Sequence, residues 1–255
     1  MTDPLFLAEL TGAEPGSLVA VTGDEGRHAA VVKRIQNGEQ VLLADGAGAA
    51  VRGTVVEVDK RGITVRVQDL LASAPQAHRW VGVQALAKGD RSDLAVETMT
   101  ELGVDEVVAW QAARSIVRWS GDKVAKGLAK WQSTAREAAK QSRRFRVPQV
   151  TAATTRQLCQ RIAAADLALV LHEAAEQNLA DVQLPAAGEV LFVVGPEGGI
   201  PPDELAAFQQ AGARAVLVSD AVLRTSTAGV VALAQLQLMA QQAAGSHDRA
   251  QGQRG

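Results

Sequence analysis

Two short stretches hold the residue types and spacings that can do chemistry. The first is Gly195-Pro196-Glu197-Gly198-Gly199-Ile200, set between an apolar, β-branched run at 190–194 and the sequence Pro201-Pro202-Asp203-Glu204. Glycines let a backbone turn tightly and approach a ligand without a Cβ in the way. The prolines and acids that follow start a helix, because proline presets φ and the helix dipole favours early negative charge. The second stretch is Val222-Leu223-Arg224-Thr225-Ser226-Thr227-Ala228, which follows the apolar run Ala215-Val216-Leu217-Val218 and leads into an apolar helix expected from about Gly229 to Ala240. It offers hydroxyls and one fixed positive charge. A buried strand that delivers a loop at its carboxyl end is the usual ligand-binding arrangement of open α/β sheets. Two nucleotide motifs are excluded. A phosphate-cradling loop continues Gly-Lys-Ser/Thr where this one continues Ile200-Pro201-Pro202, and the dinucleotide fingerprint needs a G-x-G-x-x-G spacing that Gly195, Gly198 and Gly199 do not have.

The elements that must position these loops alternate between strand and helix from 78 to 244, the pattern of an α/β domain. A strand at 80–86 runs into the charged loop Lys88-Gly89-Asp90-Arg91. A helix at 92–102 places Leu94, Met99 and Leu102 on one side and closes at Gly103. A strand at 107–110 precedes Arg114-Ser115, a helix spans about 121–142, a second helix surrounds Cys159, and a buried strand at 167–171 ends in His172-Glu173. Residues 1–72 are instead β-rich. Strands at 17–21 and 40–44 and a hairpin of 50–58 with 62–67 predict a small barrel. Residues 73–77 form the linker, and the polar, glycine-rich 245–255 is expected to be a disordered tail.

Net charge is −2, charged residues are 21% and hydrophobic residues 47% of 255, so a polyanion-binding surface must come from local clustering. Two clusters stand out. Arg27, His28, Lys33 and Arg34 lie on and around a short helix at 24–35. Lys140, Arg143, Arg144 and Arg146 fall within seven residues at a helix end, with Phe145 among them. Arginine suits phosphate through its planar fork of donors, although cations at a helix end also complement its dipole. The single cysteine excludes an intrachain disulfide and fits a reducing cytoplasm, where Cys159 is expected as a small buried hydrophobe. The amino terminus lacks a signal-peptide pattern, no apolar run is long enough to span a bilayer, and no zinc or calcium ligand spacing occurs.

Gly195-Pro196-Glu197-Gly198-Gly199 together with Leu223-Arg224-Thr225-x-Thr227-Ala228 resembles the RsmE family of ribosomal RNA methyltransferases, of the SPOUT class. Glu101-Leu102-Gly103-Val104 after a basic loop, the His28-x-x-x-Val32-x-Arg34 segment and Gln141-Ser142-x-Arg144 extend the resemblance over nearly the whole chain. It implies an S-adenosylmethionine-dependent enzyme that methylates N3 of a uridine in 16S ribosomal RNA of the small subunit. It further implies a PUA-like amino-terminal domain, a carboxyl-terminal trefoil knot and a homodimer packed through the last helix, in which Leu233 and Leu236 are expected at the interface. The cofactor site implied comprises Leu171, His172 and Glu173; Val194, Gly195, Pro196, Glu197, Gly198, Gly199 and Ile200; and Val218, Ser219, Leu223, Thr225, Ser226, Thr227 and Ala228. Removing the N3 proton puts negative charge on the flanking carbonyl oxygens, and Arg224 is the candidate to stabilise it. Glu197, His28, His172 and solvent are the candidate bases. RNA contacts are expected from Arg27, His28, Lys33, Arg34, Lys88, Arg91, Arg114, Arg143, Arg144 and Arg146. Ser219 and Ser226 depart from the family pattern, which commonly has glycine and glutamate there.

Two other function classes remain open at this level. One is an RNA-binding or ribosome-assembly protein that keeps the fold without methyl transfer, supported only by the two serines. The other is an α/β enzyme with a different nucleotide cofactor, which the glycine spacing disfavours. Binding of S-adenosylmethionine separates the three.

Overall fold

A computed structural model of the chain describes residues 3–252. It divides into two compact units, one formed by 1–75 with 135–147 and the other by 76–134 with 148–255. In the first, β1 (Leu5–Leu7), β2 (Leu18–Val21), β3 (Gln40–Ala44), β4 (Ala49–Asp59) and β5 (Gly62–Ala72) form one sheet in the order β1-β3-β4-β5-β2. The expected hairpin is β4 with β5. Its turn is held by Asp59, whose carboxylate accepts from the Arg61 and Gly62 N–H groups. Asp45 caps the preceding turn in the same way, accepting from the N–H groups of Ala47, Gly48 and Ala49.

Between β2 and β3, α1 (Gly23–Arg27) continues as a π-helical turn over His28–Val32. Widening the turn by one residue leaves Val31 and Val32 exposed, at 56% and 65%. The turn ends at Arg34, which adopts the left-handed conformation with φ 55°.

The segment 135–147 belongs with this first unit, whereas a cut at the 73–77 linker assigns it to the second domain. The reason is pairing and burial. Val147 N–H donates to Gly46 O, Arg146 bridges to Gly46 and Ala47, and Phe145 and Val147 pack on the Leu5, Leu7 and Leu42 cluster. Lys140, with a 5% exposed side chain, is paired with Glu25 at 3.1 Å.

In the second unit the strands are β6 (His78–Ala85), β7 (Glu106–Trp110), β8 (Gln149–Ala153), β9 (Leu167–Leu171), β10 (Gly188–Val194) and β11 (Arg214–Val216). All pairings are parallel, in the order β11-β9-β10-β6-β7-β8. Helices α2 (Arg91–Glu101), α4 (Thr155–Ala164), α5 (Pro202–Gln210) and α6 (Thr225–Gly252) connect or follow them, and α3 (Asp122–Gln141) runs from this unit into the 135–147 segment. Burial on both faces explains why strands such as Leu191-Phe192-Val193 read as unbroken apolar runs. Register places Gln84, Val194, Leu171 and Val216 in one row at the carboxyl edge.

Four expectations are corrected. Leu94 is 45% exposed and α2 buries Ala95, Val96 and Met99 instead, because their spacing fits one helical stripe that Leu94 does not share. The last helix begins at Thr225 rather than Gly229 and continues through Gly252, so 245–252 is helical rather than a disordered tail; 253–255 lie outside the described residues. Leu233 and Leu236 are fully buried within their own chain, where α6 packs on α2, so they are core residues and not a free interface. Cys159 is only partly buried, against the core of this unit.

At the amino edge of the sheet lies a buried carboxylate, Glu106, 4% exposed. Arg161 grips both its oxygens at 2.6 and 3.0 Å, Arg79 donates at 2.7 Å and Thr151 at 2.7 Å. Burial pushes this carboxyl up, but the hydrogen bonds from Arg161, Thr151 and Arg79 prevail and hold it at about 2 against an ordinary 4.5. A carboxyl depressed on folding stabilises fully above its unfolded value and loses that contribution as pH falls toward its folded value. Glu106→Gln should therefore cost about 2–3 kcal/mol near neutral pH. Melts of both proteins across the acid range should converge between pH 4.5 and 2. A gap independent of pH would show that the charge is not what the network uses.

Candidate functional site

The row of strand ends at the carboxyl edge opens into a cleft. β9 delivers Leu171, His172 and Glu173; β10 delivers the glycine loop; and the loop after β11 delivers Val222, Leu223 and Arg224, followed by Thr225 and Ala228 on the first turn of α6. The cavity is about 380 Å³, within the range of small-ligand sites. A smaller adjoining recess of about 100 Å³ adds Leu217, Val218, Ser219 and Asp220 to its wall. The loop after β11 is held in place from below, where Leu217 N–H donates to Gln177 O and Leu217 O accepts from Leu179 N–H.

The glycine loop is braced from three sides. Glu197 accepts from Lys88 N–H at 3.1 Å and from Arg91 at 3.0 Å. Burial works to raise the Glu197 carboxyl, but its own N–H, that of Lys88 and the Arg91 guanidinium hold it below the ordinary carboxylate range. It is a stable anion that fixes its loop and a poor proton acceptor. Arg114 donates to Gly198 O at 3.1 Å. Glu204, 8% exposed at the start of α5, accepts from Ala113 N–H and from Thr155. Gly199 has φ 71°, a conformation L side chains rarely adopt. His172 accepts from Ala174 N–H at Nδ1, 3.2 Å, so in the neutral ring Nε2 carries the proton.

Of the residues expected to hold a cofactor, Leu171, His172, Glu173, Val194, Gly195, Pro196, Glu197, Gly199, Ile200, Leu223, Thr225 and Ala228 line the larger cavity, and Val218 and Ser219 the smaller. Gly198, Ser226 and Thr227 line neither. Gly198 faces Arg114, Ser226 is buried in the first turn of α6, and the Thr227 hydroxyl donates to Arg224 O. Ser219 caps its own loop, accepting from Ala221 N–H. Arg224 is exposed at the cleft wall and makes no ion pair among the described residues.

The expected RNA-binding cations divide among several places. Arg91 is a cleft residue paired to Glu197, and Arg114 is a loop brace. Lys88 and Arg91 also border a second cavity of about 750 Å³, walled by Leu94 and Ile116 and sharing Glu197 with the cleft. Arg27, His28, Lys33, Arg34, Arg143, Arg144 and Arg146 all lie in the first unit. There Arg143, like Arg34, has φ 55°. It ends α3 in a Schellman turn, with Arg144 N–H donating to Ala139 O and Arg143 N–H to Lys140 O. The Arg146 guanidinium lies over Gly48, where a Cβ would come within 2.8 Å of it.

One residue at the site escaped the sequence reading. Gln84, on β6, is wholly buried behind the cleft and donates to the Thr225 hydroxyl. Its only sequence signal is a polar residue inside an apolar strand.

A fold of this kind, with its glycine loop and strand-end cleft, matches proteins of known type. Residues 75–237 match the RNA methyltransferase domain family, and 21–68 match the RNA methyltransferase PUA domain. The ribosomal RNA small subunit methyltransferase E of Mycobacterium bovis is 46% identical over 91% of this chain and 90% of its own length, and that of Bacillus subtilis 28% identical over 91% and 94%. Among solved structures, the Neisseria gonorrhoeae ribosomal RNA small subunit methyltransferase E bound to S-adenosyl methionine superposes with TM-score 0.83, at 26% identity, covering 93% of this chain and 98% of that one. A putative methyltransferase of Legionella pneumophila, with bound cofactor SAM, gives 0.82 at 27% identity over 93% and 98%. The chain belongs to the ribosomal RNA small subunit methyltransferase E family.

Proposed function

We propose that the chain transfers a methyl group from S-adenosylmethionine to N3 of a uridine in 16S ribosomal RNA. The observation that carries this is the cleft itself. Its walls are apolar at Leu171, Val194, Ile200 and Leu223, its loops offer backbone groups at Gly195 and Gly199, and one of its two cations, Arg91, is neutralised by Glu197. Such a site suits a sulfonium cation joined to an adenosine. Bound there, the cofactor supplies an electrophilic methyl group.

The chain's own residues hold the loops rigid and shape the charge around the acceptor. The second cavity, which shares Arg91 and Glu197 with the cleft, is where an unstacked base enters, between Leu94 and Ile116. Arg224 stabilises the negative charge that develops on the uracil oxygens. Glu197 is tied to its loop and the neutral His172 ring presents a donor, which leaves solvent and His28 to accept the N3 proton. The first unit, a PUA-like barrel in this reading, holds RNA phosphates through Arg27, Lys33, Arg34, Arg143, Arg144 and Arg146. The course of the chain around β9 and β11 is read as a trefoil knot, and the location as cytoplasmic. Among the described residues no helix is long and apolar enough to cross a membrane.

Deleting the gene should remove the N3 methyl mark from 16S ribosomal RNA in mass mapping. The wild-type gene should restore it and Gly199→Val should not, because a β-branched residue is strained at φ 71°. Restoration by Gly199→Val would take the glycine loop out of the reaction. Replacing Arg143 and Arg144 by glutamine should weaken RNA binding and lower its salt slope by about 1–2; an unaltered slope would assign them to the helix end alone. The chain is also read as a C2 homodimer. In this reading the partner would meet the side of α6 that carries Leu238, 54% exposed. Light scattering of the wild type at micromolar concentration should give twice the chain mass, and Leu238→Lys should reduce it to one; a wild-type monomer would end that part of the reading.

A further inference from the structure

Gln84 stands in a hydrogen-bond chain that crosses from the sheet to the cleft wall. Its Nε2 donates to Thr225 Oγ1 at 2.9 Å and to Ala85 O at 3.2 Å. Thr225 Oγ1 donates to Gly195 O at 2.7 Å. Gln84 Oε1 is buried and accepts no hydrogen bond from the described residues. Gln84 is in register with Val194 on β10, immediately before Gly195. Thr225 and Gly195 both line the cleft, and Gln84 is one layer behind them.

A hydroxyl has one proton to give. Thr225 gives it to Gly195 O, so it accepts from behind, and among the described residues the amide nitrogen of Gln84 is the donor there. Turning the amide over would set Oε1 against the Ala85 carbonyl, two acceptors at about the 3.2 Å now spanned by a hydrogen bond. It would also draw the Thr225 proton away from Gly195. Ala85 O thus selects the amide orientation, the amide selects the hydroxyl direction, and the hydroxyl holds the Gly195–Pro196 peptide. The arrangement leaves Oε1 unsatisfied, and an orphaned buried acceptor is destabilising. A methionine of similar length would fill the space without that defect.

We propose that Gln84 is a positioning residue of the methyl-donor site, setting the proton of Thr225 and through it the plane of the Gly195–Pro196 peptide. This rests on the reading of the cleft as an S-adenosylmethionine site. A residue that served packing alone would behave differently in two ways. Gln84→Met removes the orphaned oxygen along with the donor. Its melting temperature is therefore expected to equal or exceed that of the wild type, while the Kd for S-adenosylmethionine rises about ten-fold with loss of one buried hydrogen-bond relay. Gln84→Glu keeps the shape but reverses the hydroxyl, because an ionised carboxylate can only accept. A protonated carboxyl can donate again, so donor affinity of Gln84→Glu is expected to recover as pH falls through that group's titration, a range in which the wild type changes little.

Calorimetric titration of S-adenosylmethionine into the full-length wild type and both variants, with melts of each, tests this. A weakened, pH-recoverable Gln84→Glu and a stable, weakened Gln84→Met support it. Wild-type affinity in a folded Gln84→Met, or a folded Gln84→Glu whose affinity stays weakened as pH falls, overturns it while leaving the cofactor reading intact. A wild type that binds no S-adenosylmethionine overturns both.

Discussion

The register of four parallel strands is the constraint on which the second unit depends. Gln84, Val194, Leu171 and Val216 end in one row because β6, β10, β9 and β11 are hydrogen-bonded without offset. Parallel pairing leaves no hairpin to set that register, so burial on both faces must do it. The core around Val83, Leu191, Val193 and Val170 supplies the burial. Once the ends are level, three loops rise from adjacent points and can only converge. The braces at Glu197, Arg114 and Glu204 then fix the height and tilt of the glycine loop above them.

The two edges of this sheet divide the work between them. Charge at the amino edge is fully engaged, with Glu106 shared by Arg79, Arg161 and Thr151. At the carboxyl edge the groups are left facing a cavity, and only those that shape the loops are paired. The first unit is built on different terms. Its sheet is stitched by three antiparallel pairs, one parallel pair of β1 with β3 and aspartates that cap turns, and a segment from far along the chain completes its core at Phe145 and Val147.

Much of this was legible in the sequence. Strand positions followed from apolar runs, and the start of α5 from Pro201-Pro202. Most of the cleft followed from loops placed at strand ends. What was not legible depended on contacts between distant residues. Nothing local marks 135–147 as part of the first unit, since its attachment is to Gly46 and the Leu5 cluster. Leu94 was misplaced because one apolar residue off the stripe is indistinguishable from one on it until the helix is rotated against a core. The glycine expected to begin the last helix lies one turn inside it, because Thr225 and Ser226 can start a helix as readily as end a loop. Arg91 and Arg114 read as phosphate ligands, yet each finds a loop acceptor that only the fold brings near.

Arg34 and Arg143 adopt a backbone conformation that glycine usually supplies, each where a helix has just ended. The hydrogen bonds that close those ends are made by the main chain, so the Cα–Cβ direction of each arginine is fixed before anything binds. A basic tail must order its backbone as well as its side chains around an anion, and that ordering opposes association. In the proposed contact with RNA phosphates, the preset backbone at Arg34 and Arg143 leaves less chain to order than the same charges on a flexible segment would.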